Sequence, residues 1–340
     1  EKTRRRGGSH RRSAVKMLPV SHVPGRHCAS TGIRNLLSFH GIQMSEAMCF
    51  GIGAGLGIGY LNLPGSSPSR LVHVRSVDFE EQFFSRIGHA FVWDCSERSD
   101  EAEASLCRAI DRGLPSLIRT DIYHLPYFRS NTHFPGHVIM VWGYDHKREV
   151  FFVTDTGNQE ILEVPFSDMR KARHQEGSIY EMRGNRFSPE AIEPPGDMRK
   201  IIIGSIVHNS RMILDEVCEF QGIRGLDTWL KELPEWVELK DWRWIARFCY
   251  QVIEQRGTGG GGFRLIYADF LREALRWVPE IASNGLVERM SETAAAWQGL
   301  AAALKEASEQ ERPDFREVAG RIEQVRTLED ASHRAALALA

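Results

Sequence analysis

Residues 137–154 read HVIMVWGYDHKREVFFVT and contain the clearest local structural signal in the chain. Two runs rich in β-branched and aromatic residues, 137–144 and 150–154, flank the short polar segment DHKRE at 145–149. Apolar runs of this composition around a polar turn predict an antiparallel β-hairpin. The sequence therefore predicts an antiparallel sheet in this half of the chain.

The hydrophobic pattern becomes almost entirely helical after residue 195. Beyond a linker at 192–200, apolar residues recur at helical spacing, and the last segments are rich in Ala, Glu, Leu and Arg. The predicted helices of this half are 199–216, 225–232, 240–255, 263–276, 284–308 and 313–338. In the first half the same reasoning predicts a helix at 31–40 and a strand at 90–94.

These patterns predict an α+β protein of two domains, which a length of 340 residues also favours. We place a domain with an antiparallel sheet at residues 17–195 and an all-α domain at 196–340. Residues 1–16, EKTRRRGGSHRRSAVK, are basic and poor in apolar side chains, so we expect a disordered leader. A true start at Met17, or an arm that contacts nucleic acid, are the alternatives for this segment.

The overall composition argues against several classes of protein. The formal net charge is −2, which favours neither nucleic acid nor an anionic membrane as a partner. The sequence has neither the run of about 18 apolar residues that spans a bilayer nor the hydrophobic stretch of a signal peptide. We therefore expect a cytoplasmic protein.

The cysteines are scattered and include no CxxC pair; they stand at positions 28, 49, 95, 107, 218 and 249. This arrangement predicts no disulfide framework in so long a chain. The spacing of His and Cys predicts no metal site either. Each cysteine is thus expected to be a small buried hydrophobe or a reactive thiol.

Cys28 lies in the stretch GRHCASTGIRNLL at 25–37, directly before a predicted helix. The positive end of a helix dipole and its unpaired N–H groups lower the pKa of a thiol at that position and favour the nucleophilic thiolate. The same N–H groups could hold an oxyanion. An idle, buried cysteine is the alternative interpretation.

His137 and Asp155 could supply the base that a nucleophilic cysteine needs. His137 begins the first strand of the predicted hairpin, and Asp155 follows the second. If Tyr144 pairs with Arg148, the two side chains are directly opposed; a slip of one pair makes them diagonal neighbours, still within reach. The carboxylate would then fix the imidazole tautomer and stabilise the imidazolium. A histidine and an aspartate with no shared task are the alternative.

Three stretches carry a resemblance to a known family: residues 26–61, GHVIMVWGYD at 136–145 and VTDT at 153–156. They resemble the N-terminal domain of the butirosin biosynthesis protein H (BtrH)-like acyltransferase family. The helical half, with GTGGGGFRLIYADFLREA at 257–274, resembles the domain that commonly follows it. The resemblance implies a papain-like fold with Cys28 as nucleophile, His137 as base and Asp155 as orienting acid.

The resemblance also implies a reaction. The family's named member transfers an aminoacyl group from a carrier-protein thioester to an amine of a small molecule. Expected partners are thus an acyl carrier protein and a small-molecule amine acceptor in specialised metabolism. The expected donor is linked to phosphopantetheine, and no bound cofactor is expected.

Further residues are weaker candidates. Papain-like enzymes carry a glutamine before the cysteine that donates a hydrogen bond to the oxyanion. This chain has no glutamine between residues 17 and 28. His22 is a possible substitute, and the Cys28 backbone N–H is the donor that we favour. In the glycine-rich segment at 50–61 and just after it, Tyr60 and Asn62 could line an acyl channel. Gly261 and Arg264, at a helix start, could bind a phosphate or another anionic group, with a flexible loop as the alternative.

Two other functions use the same residues. A cysteine peptidase or amidase would employ the same triad with water as the acyl acceptor. A binding domain that kept the fold would need no triad, so the presence of all three residues argues against it. The sequence predicts an acyltransferase, with the hydrolase as the main alternative.

Overall fold

The computed structural model describes residues 15–175, 182–215 and 218–340. The helices are α1 Cys28–Phe39, α2 Glu46–Ile52, α3 Phe79–Arg86, α4 Ser99–Asp111, α5 Phe166–Ala172, α6 Met198–Leu214, α7 Gly222–Glu232, α8 Trp242–Glu254, α9 Arg264–Ala274, α10 Glu280–Ser283, α11 Leu286–Glu309 and α12 Arg316–Ala336. The strands are β1 Val15–Met17, β2 Leu56–Asn62, β3 Arg70–Arg75, β4 Ser116–Thr120, β5 His137–Asp145, β6 Val150–Thr154, β7 Leu162–Pro165, β8 His174–Gln175, β9 Met182–Arg183 and β10 Arg186–Phe187. Short 3₁₀ helices occur at Ile122–His124, Leu233–Glu238, Gly261–Phe263 and Leu337–Leu339.

The chain forms two compact units, each made of two separate stretches. The first contains the described residues up to His22 together with Trp93–Glu190, and the second contains Val23–Val92 and Ala191–Ala340. The stretch predicted as one domain, 17–195, is thus shared between the units, because residues 23–92 pack with the helical half. The domain boundaries at 16 and 195 stay a prediction.

The first unit is built on an antiparallel sheet with β5 at its centre. The main strand order is β10-β4-β5-β6-β7. β4 pairs with the first half of β5, while β1 pairs with its end, where Met17 lies opposite Gly143. All nine residues of β5 are buried, as its nearly continuous apolar sequence requires.

Apolar residues of the sheet and of two helices form the core of this unit. Ile139 and Val141 of β5 and Phe151 and Val153 of β6 share a face, because alternate residues of a strand point the same way. α4 and α5 pack on that face through their apolar residues, which are Leu106, Cys107, Ile110, Phe166, Met169 and Ala172. His137 and Asp155 continue the same alternation at the end of the two strands.

The second unit is a helical assembly around one hairpin, formed by β2 and β3. Asn209 of α6 binds both backbone groups of Leu56, at 3.1 and 2.8 Å, and so fastens β2 to the helices. Large rings, among them Trp229, Trp236 and Trp297, are fully buried between the helices. Burial of such rings accounts for much of the packing in this unit.

The predicted helices of the C-terminal half are confirmed, with ends displaced by at most three residues; residue 216 lies outside the described residues. The strand predicted at 90–94 is wrong. Only Asp94 makes a ladder contact there, an isolated bridge to Arg186, and Val92 is 78% exposed. The fold is α+β with antiparallel sheets and a helical C-terminal part.

The predicted leader falls largely outside the described residues, since residues 1–14 are not among them. Val15 and Lys16, its last two residues, form strand β1 with Met17 and pair with β5. None of the helices described here is both long enough and apolar enough to span a bilayer.

Candidate active site

Cys28 is the first residue of α1, which therefore begins three residues before the helix predicted at 31–40. Its side chain is buried, with 9% exposure, and it forms no disulfide bond. His27 is the N-cap residue and has extended backbone angles. The sulfur therefore lies at the end of α1 where the helix dipole is positive.

The turn that carries Cys28 is held by one carboxylate oxygen. Glu46 Oε1 accepts hydrogen bonds from the backbone N–H groups of Arg26 and His27, both at 2.8 Å, and from the Thr31 hydroxyl at 3.0 Å. Glu46 is the first residue of α2. Because it binds both sides of Cys28 along the chain, Glu46 fixes the start of α1 relative to α2.

The His27 ring is part of the same support. Arg75 Nη1 lies 3.1 Å from Nε2. Nδ1 lies 3.1 Å from the Ser30 hydroxyl and accepts from the Ser30 backbone N–H at 3.3 Å, so the ring caps α1. The ring also meets Phe50, Phe79 and Phe263 edge to face. His27 thus has a structural role beside Cys28.

Gly25 is required by close packing in this turn. A Cβ built on it would lie 2.0 Å from Thr31 Oγ1 and 2.8 Å from the Glu46 carboxyl carbon. No side chain fits at these distances without moving the contacts that hold the turn. Gly25 is therefore required because a larger residue would overlap Thr31 and Glu46. In the sequence this requirement is visible only as the glycine of GRHC.

His137 and Asp155 meet as the hairpin predicts. Nε2 of His137 lies 2.9 Å from both carboxylate oxygens of Asp155, and both side chains are buried. Since a carboxylate accepts, Nε2 carries the proton, and Nδ1 carries the lone pair that can take a proton from another group. The predicted hydrogen bond between the two is confirmed.

A β-bulge makes this contact possible. Asp145 pairs with Val150 and Tyr144 with Phe151, so the predicted pairing of Tyr144 with Arg148 is wrong. A regular ladder from there would put His137 and Asp155 on opposite faces of the sheet. The register shifts by one residue between Val141 and Gly143, which returns the two side chains to one face as diagonal neighbours.

Neighbouring groups keep Asp155 ionised in spite of its burial. It accepts hydrogen bonds from the Tyr127 hydroxyl at 2.7 Å and the Thr156 hydroxyl at 2.8 Å. Burial raises the pKa of Asp155, but the charge of His137 and these hydrogen bonds outweigh it, so the pKa is below its ordinary value. Burial and the Asp155 charge raise the pKa of Tyr127 well above its ordinary value, so Tyr127 stays a donor.

Sequence reasoning missed Tyr127 and Phe128. Both belong to the loop between β4 and β5, and the Phe128 ring packs edge to face on His137, with centroids 5.2 Å apart. Loop residues without a periodic pattern give no sequence signal for such contacts; two adjacent aromatic residues in a polar loop were the only sign. Tyr127 thus binds the carboxylate of the pair, and Phe128 packs on its imidazole.

The candidate catalytic residues thus form two separate halves, one within each unit. Cys28 is in the second unit, and the His137–Asp155 pair is in the first. Each half is ordered by contacts within its own unit.

One family model covers all three candidate catalytic residues. Residues 27–156 match the model of the N-terminal domain of butirosin biosynthesis protein H, which begins one residue before Cys28 and ends one residue after Asp155. Residues 167–336, half of the chain, match a domain of unknown function (DUF4872). The chain belongs to the butirosin biosynthesis protein H-like family. No curated protein matches it.

His22, the weaker oxyanion candidate, contacts the segment that follows Asp155. Its Nε2 lies 2.7 Å from the backbone carbonyl oxygen of Asn158, three residues after Asp155. A carbonyl oxygen can only accept, so Nε2 donates to it. The structure thus gives this nitrogen a partner in the first unit, and the oxyanion role of His22 stays a prediction.

Tyr60 and Asn62 share a carboxylate instead of an open channel. Glu232 Oε2 accepts from the Tyr60 hydroxyl at 3.1 Å, from Asn62 Nδ2 at 3.0 Å and from Arg70. Tyr60 is 2% exposed, and its ring stacks on those of Trp229 and Trp236, which also contact each other. These contacts fasten β2 to α7, and the expected place of the two side chains in an acyl channel stays a prediction.

Gly261 and Arg264 also have structural tasks where an anion site was expected. The Gly261 N–H donates to Glu254 Oε1 at 2.9 Å. Arg264 is fully buried; it donates to Glu329 Oε1 at 2.6 Å and to backbone carbonyls of Val74, Gly57 and Gly262. An anion at Arg264 would have to compete with Glu329 for a buried guanidinium, and the anion-binding role of both residues stays a prediction.

Proposed function

We propose that this protein is an acyltransferase that uses Cys28 as nucleophile, His137 as base and Asp155 as the acid that orients the base. The observation that carries the proposal is the match of one family model to residues 27–156, which include all three residues. The family is named for a protein of butirosin biosynthesis, which supports a biosynthetic role. We further propose that the catalytic arrangement is papain-like.

The local geometry supports each proposed role. Cys28 begins a helix, where a thiolate is favoured. His137 donates through Nε2 to a buried, ionised carboxylate, so its Nδ1 is the basic nitrogen. Asp155 fixes that tautomer and would stabilise the imidazolium once it forms.

The proposed reaction has two halves. In the first, the Cys28 thiol proton passes to His137 Nδ1 and the thiolate attacks the carbonyl carbon of a thioester. The oxyanion is held by the Cys28 backbone N–H, an interaction whose loss costs about 3–4 kcal/mol in other enzymes. The tetrahedral intermediate then expels the donor thiol, which takes the proton from His137, and acyl-Cys28 remains.

In the second half, an amine replaces the donor. His137 accepts a proton from the attacking amine, the new C–N bond forms, and the Cys28 thiol leaves with that proton. The acyl donor would be a phosphopantetheine-linked thioester on a carrier protein, and the acceptor a small-molecule amine. A reducing compartment such as the cytoplasm would keep Cys28 available as a thiol.

The choice between transfer and hydrolysis can be measured directly. We would supply a short-chain acyl-pantetheine thioester with and without a primary amine, and in parallel a set of peptides and acyl anilides. The expected result is thioester consumption that yields an amide when the amine is present. Under the same conditions His137→Ala should be slower by about 10²–10⁴-fold, and Cys95→Ala, which removes a partly exposed thiol, should match the wild type.

Cleavage of peptides or anilides with no reaction of the thioester would replace the proposal by the cysteine peptidase or amidase. Thioester consumption that yields only the free acid at saturating amine would assign a hydrolase as well. Equal rates in wild type and His137→Ala would remove His137 as the base.

A further inference from the structure

The loop between β4 and β5 carries a cluster of metal-ligating side chains that the proposed acyl transfer does not use. Asp121, His124 and His133 each offer one ligand atom, and these atoms all lie within 4.8 Å of one another. In the part of the chain that the structure describes, no other group of three such residues comes together in this way. The three residues are all in the first unit.

Asp121 is the fixed member of the cluster. It is fully buried and caps the 3₁₀ helix Ile122–His124. Its Oδ1 accepts from the backbone N–H groups of Tyr123 at 3.1 Å and Phe134 at 2.8 Å. These bonds hold the carboxylate so that Oδ2 points to His133 Nδ1, 2.6 Å away. A carboxylate positioned by backbone donors in this way is typical of ligands with an ordered second shell.

The two imidazoles are brought to Asp121 by local structure. His124 ends the 3₁₀ helix three residues after Asp121, and side chains three apart in a 3₁₀ helix lie one above the other. The His133 ring stacks on Tyr123, with centroids 4.0 Å apart and planes 25° apart. His133 is 50% exposed, so the cluster is open to solvent on one side.

We propose that Asp121, His124 and His133 bind a divalent transition-metal ion, and Zn²⁺ in preference to Mg²⁺ or Ca²⁺. Two imidazoles and one carboxylate suit Zn²⁺, whereas the alkaline-earth ions take oxygen ligands. Zinc bonds of about 2.0–2.2 Å in a tetrahedron place neighbouring ligand atoms about 3.4 Å apart. To reach that value, the 2.6 Å between Asp121 Oδ2 and His133 Nδ1 must widen and any spacing near the 4.8 Å limit must shorten, and a water fills the fourth position.

The charges around the cluster permit a cation. Near His124, the carboxylates of Asp121 and Asp168 supply negative charge, and Lys171 supplies positive charge. A bound Zn²⁺ would replace the His133–Asp121 hydrogen bond by two coordinate bonds.

Metal binding here would fasten the loop that supports the His137–Asp155 pair. The ligands lie at both ends of the segment that contains Tyr127 and Phe128, the two residues that contact this pair. The site therefore acts as a clamp on the loop, and it does not touch the reacting atoms. This inference stands independently of the acyltransferase proposal.

The test is a titration of the full-length protein, prepared without a polyhistidine tag and stripped of metal with a chelator. Co²⁺ is added as the spectroscopic probe and Zn²⁺ as the competitor. We expect one equivalent of Co²⁺ to give the intense visible bands of a tetrahedral site, which Zn²⁺ then removes. His124→Ala and His133→Ala should each weaken binding by about 100-fold, while His146→Ala, a histidine elsewhere in the same unit, should bind as the wild type does.

Cys28→Ala separates this site from the candidate active site, since it should bind Co²⁺ with the wild-type affinity and spectrum. Circular dichroism of each histidine variant shows whether its fold is retained. Absence of one-to-one binding in the wild type would overturn the proposal. So would unchanged binding in folded His124→Ala and His133→Ala, or binding lost in Cys28→Ala.

Discussion

Asp155 is a buried carboxylate whose three donors, from His137, Tyr127 and Thr156, keep it charged. Its task in the proposed mechanism is to hold the His137 tautomer and to balance the imidazolium. Asparagine at this position can still accept from Nε2 but carries no charge, whereas alanine does neither. The pair of substitutions therefore separates orientation from charge.

We predict that Asp155→Ala lowers the acylation rate of Cys28 by about 10³–10⁴-fold and that Asp155→Asn lowers it less. Single-turnover acylation measured by mass spectrometry gives both rates. Thr156→Val, which removes one donor to the carboxylate and keeps its charge, is the matched control and should have a small effect. Equal losses in Asn and Ala variants would show that orientation contributes nothing beyond charge.

The Arg264–Glu329 ion pair is the second buried charge system. Glu329 accepts from Arg264 and Trp297, both at 2.6 Å, and from His333 at 3.0 Å. Burial raises the pKa of Glu329, but Arg264 and His333 outweigh it and bring the pKa to about 2 from an ordinary 4.5. Its folded pKa is depressed, so the stabilisation is present above pH 4.5 and is lost as pH falls toward 2.

We predict that Glu329→Gln lowers the free energy of unfolding near neutral pH by about 3–5 kcal/mol, because it leaves the Arg264 charge buried and unbalanced. The difference from the wild type should shrink as pH falls through this window. Urea unfolding at a series of pH values measures it. Glu317→Gln, in an exposed pair with Arg321, is the control and should change little; a pH-independent difference for Glu329→Gln would contradict the account.

At the scale of elements, the turn before α1 depends on contacts that are far apart in sequence. Glu46 opens α2 yet holds the turn before α1 through two backbone N–H groups. The sequence could predict a helix after Cys28 from small and apolar residues. It could not predict the carboxylate that fixes its start, because no local pattern joins residues 26 and 46.

We predict that Gly25→Ala destabilises the protein by about 1–3 kcal/mol and slows acylation of Cys28, because its Cβ would overlap Thr31 and Glu46. Gly204→Ala is the matched control. Gly204 lies within α6 with open space around it, so alanine there should stabilise the helix by about 0.5–1 kcal/mol. Thermal unfolding and acylation rates check both, and wild-type behaviour of Gly25→Ala would refute the packing argument.

The β5–β6 hairpin shows which contacts the sequence separation of two residues can predict and which it cannot. The even separation of His137 and Asp155 predicted a shared face, and the diagonal alternative is the one found. The turn is longer than a pairing of Tyr144 with Arg148 would give. The bulge near Trp142 then shifts the register by one residue, which returns the two side chains to one face. A bulge depends on contacts across strands, here the Trp142 indole donating to the Thr154 hydroxyl at 2.8 Å, which the sequence of one strand does not reveal.

At the scale of the whole molecule, helices were predictable and their associations were not. In α11 and α12, apolar residues recur at helical spacing over a long stretch of sequence. The ends of both helices lie within three residues of the predicted ends. Arg264 looked like a surface anion contact from its glycine-rich neighbours. Its partner Glu329 is 65 residues away, so only the packing of α9 against α11 and α12 makes it a buried ion pair.

The same limit applies to the way the chain is divided. A change of composition near residue 195 predicts a boundary there, and the second unit contains Ala191–Ala340 together with Val23–Val92. The composition of residues 23–92 did not predict that they pack with the helical half. These residues belong to the second unit because the β2–β3 hairpin packs against its helices, for example through the hydrogen bond between Leu56 and Asn209.

The central claim, that Cys28 becomes acylated, is tested most directly by locating the acyl group. The protein is mixed with an acyl-pantetheine thioester, quenched in acid, digested and mapped by tandem mass spectrometry. The account predicts one acyl group per chain on the peptide that contains Cys28, present in Cys95→Ala and absent in Cys28→Ala. An acyl group retained by Cys28→Ala, or found on another residue of the wild type, would contradict it.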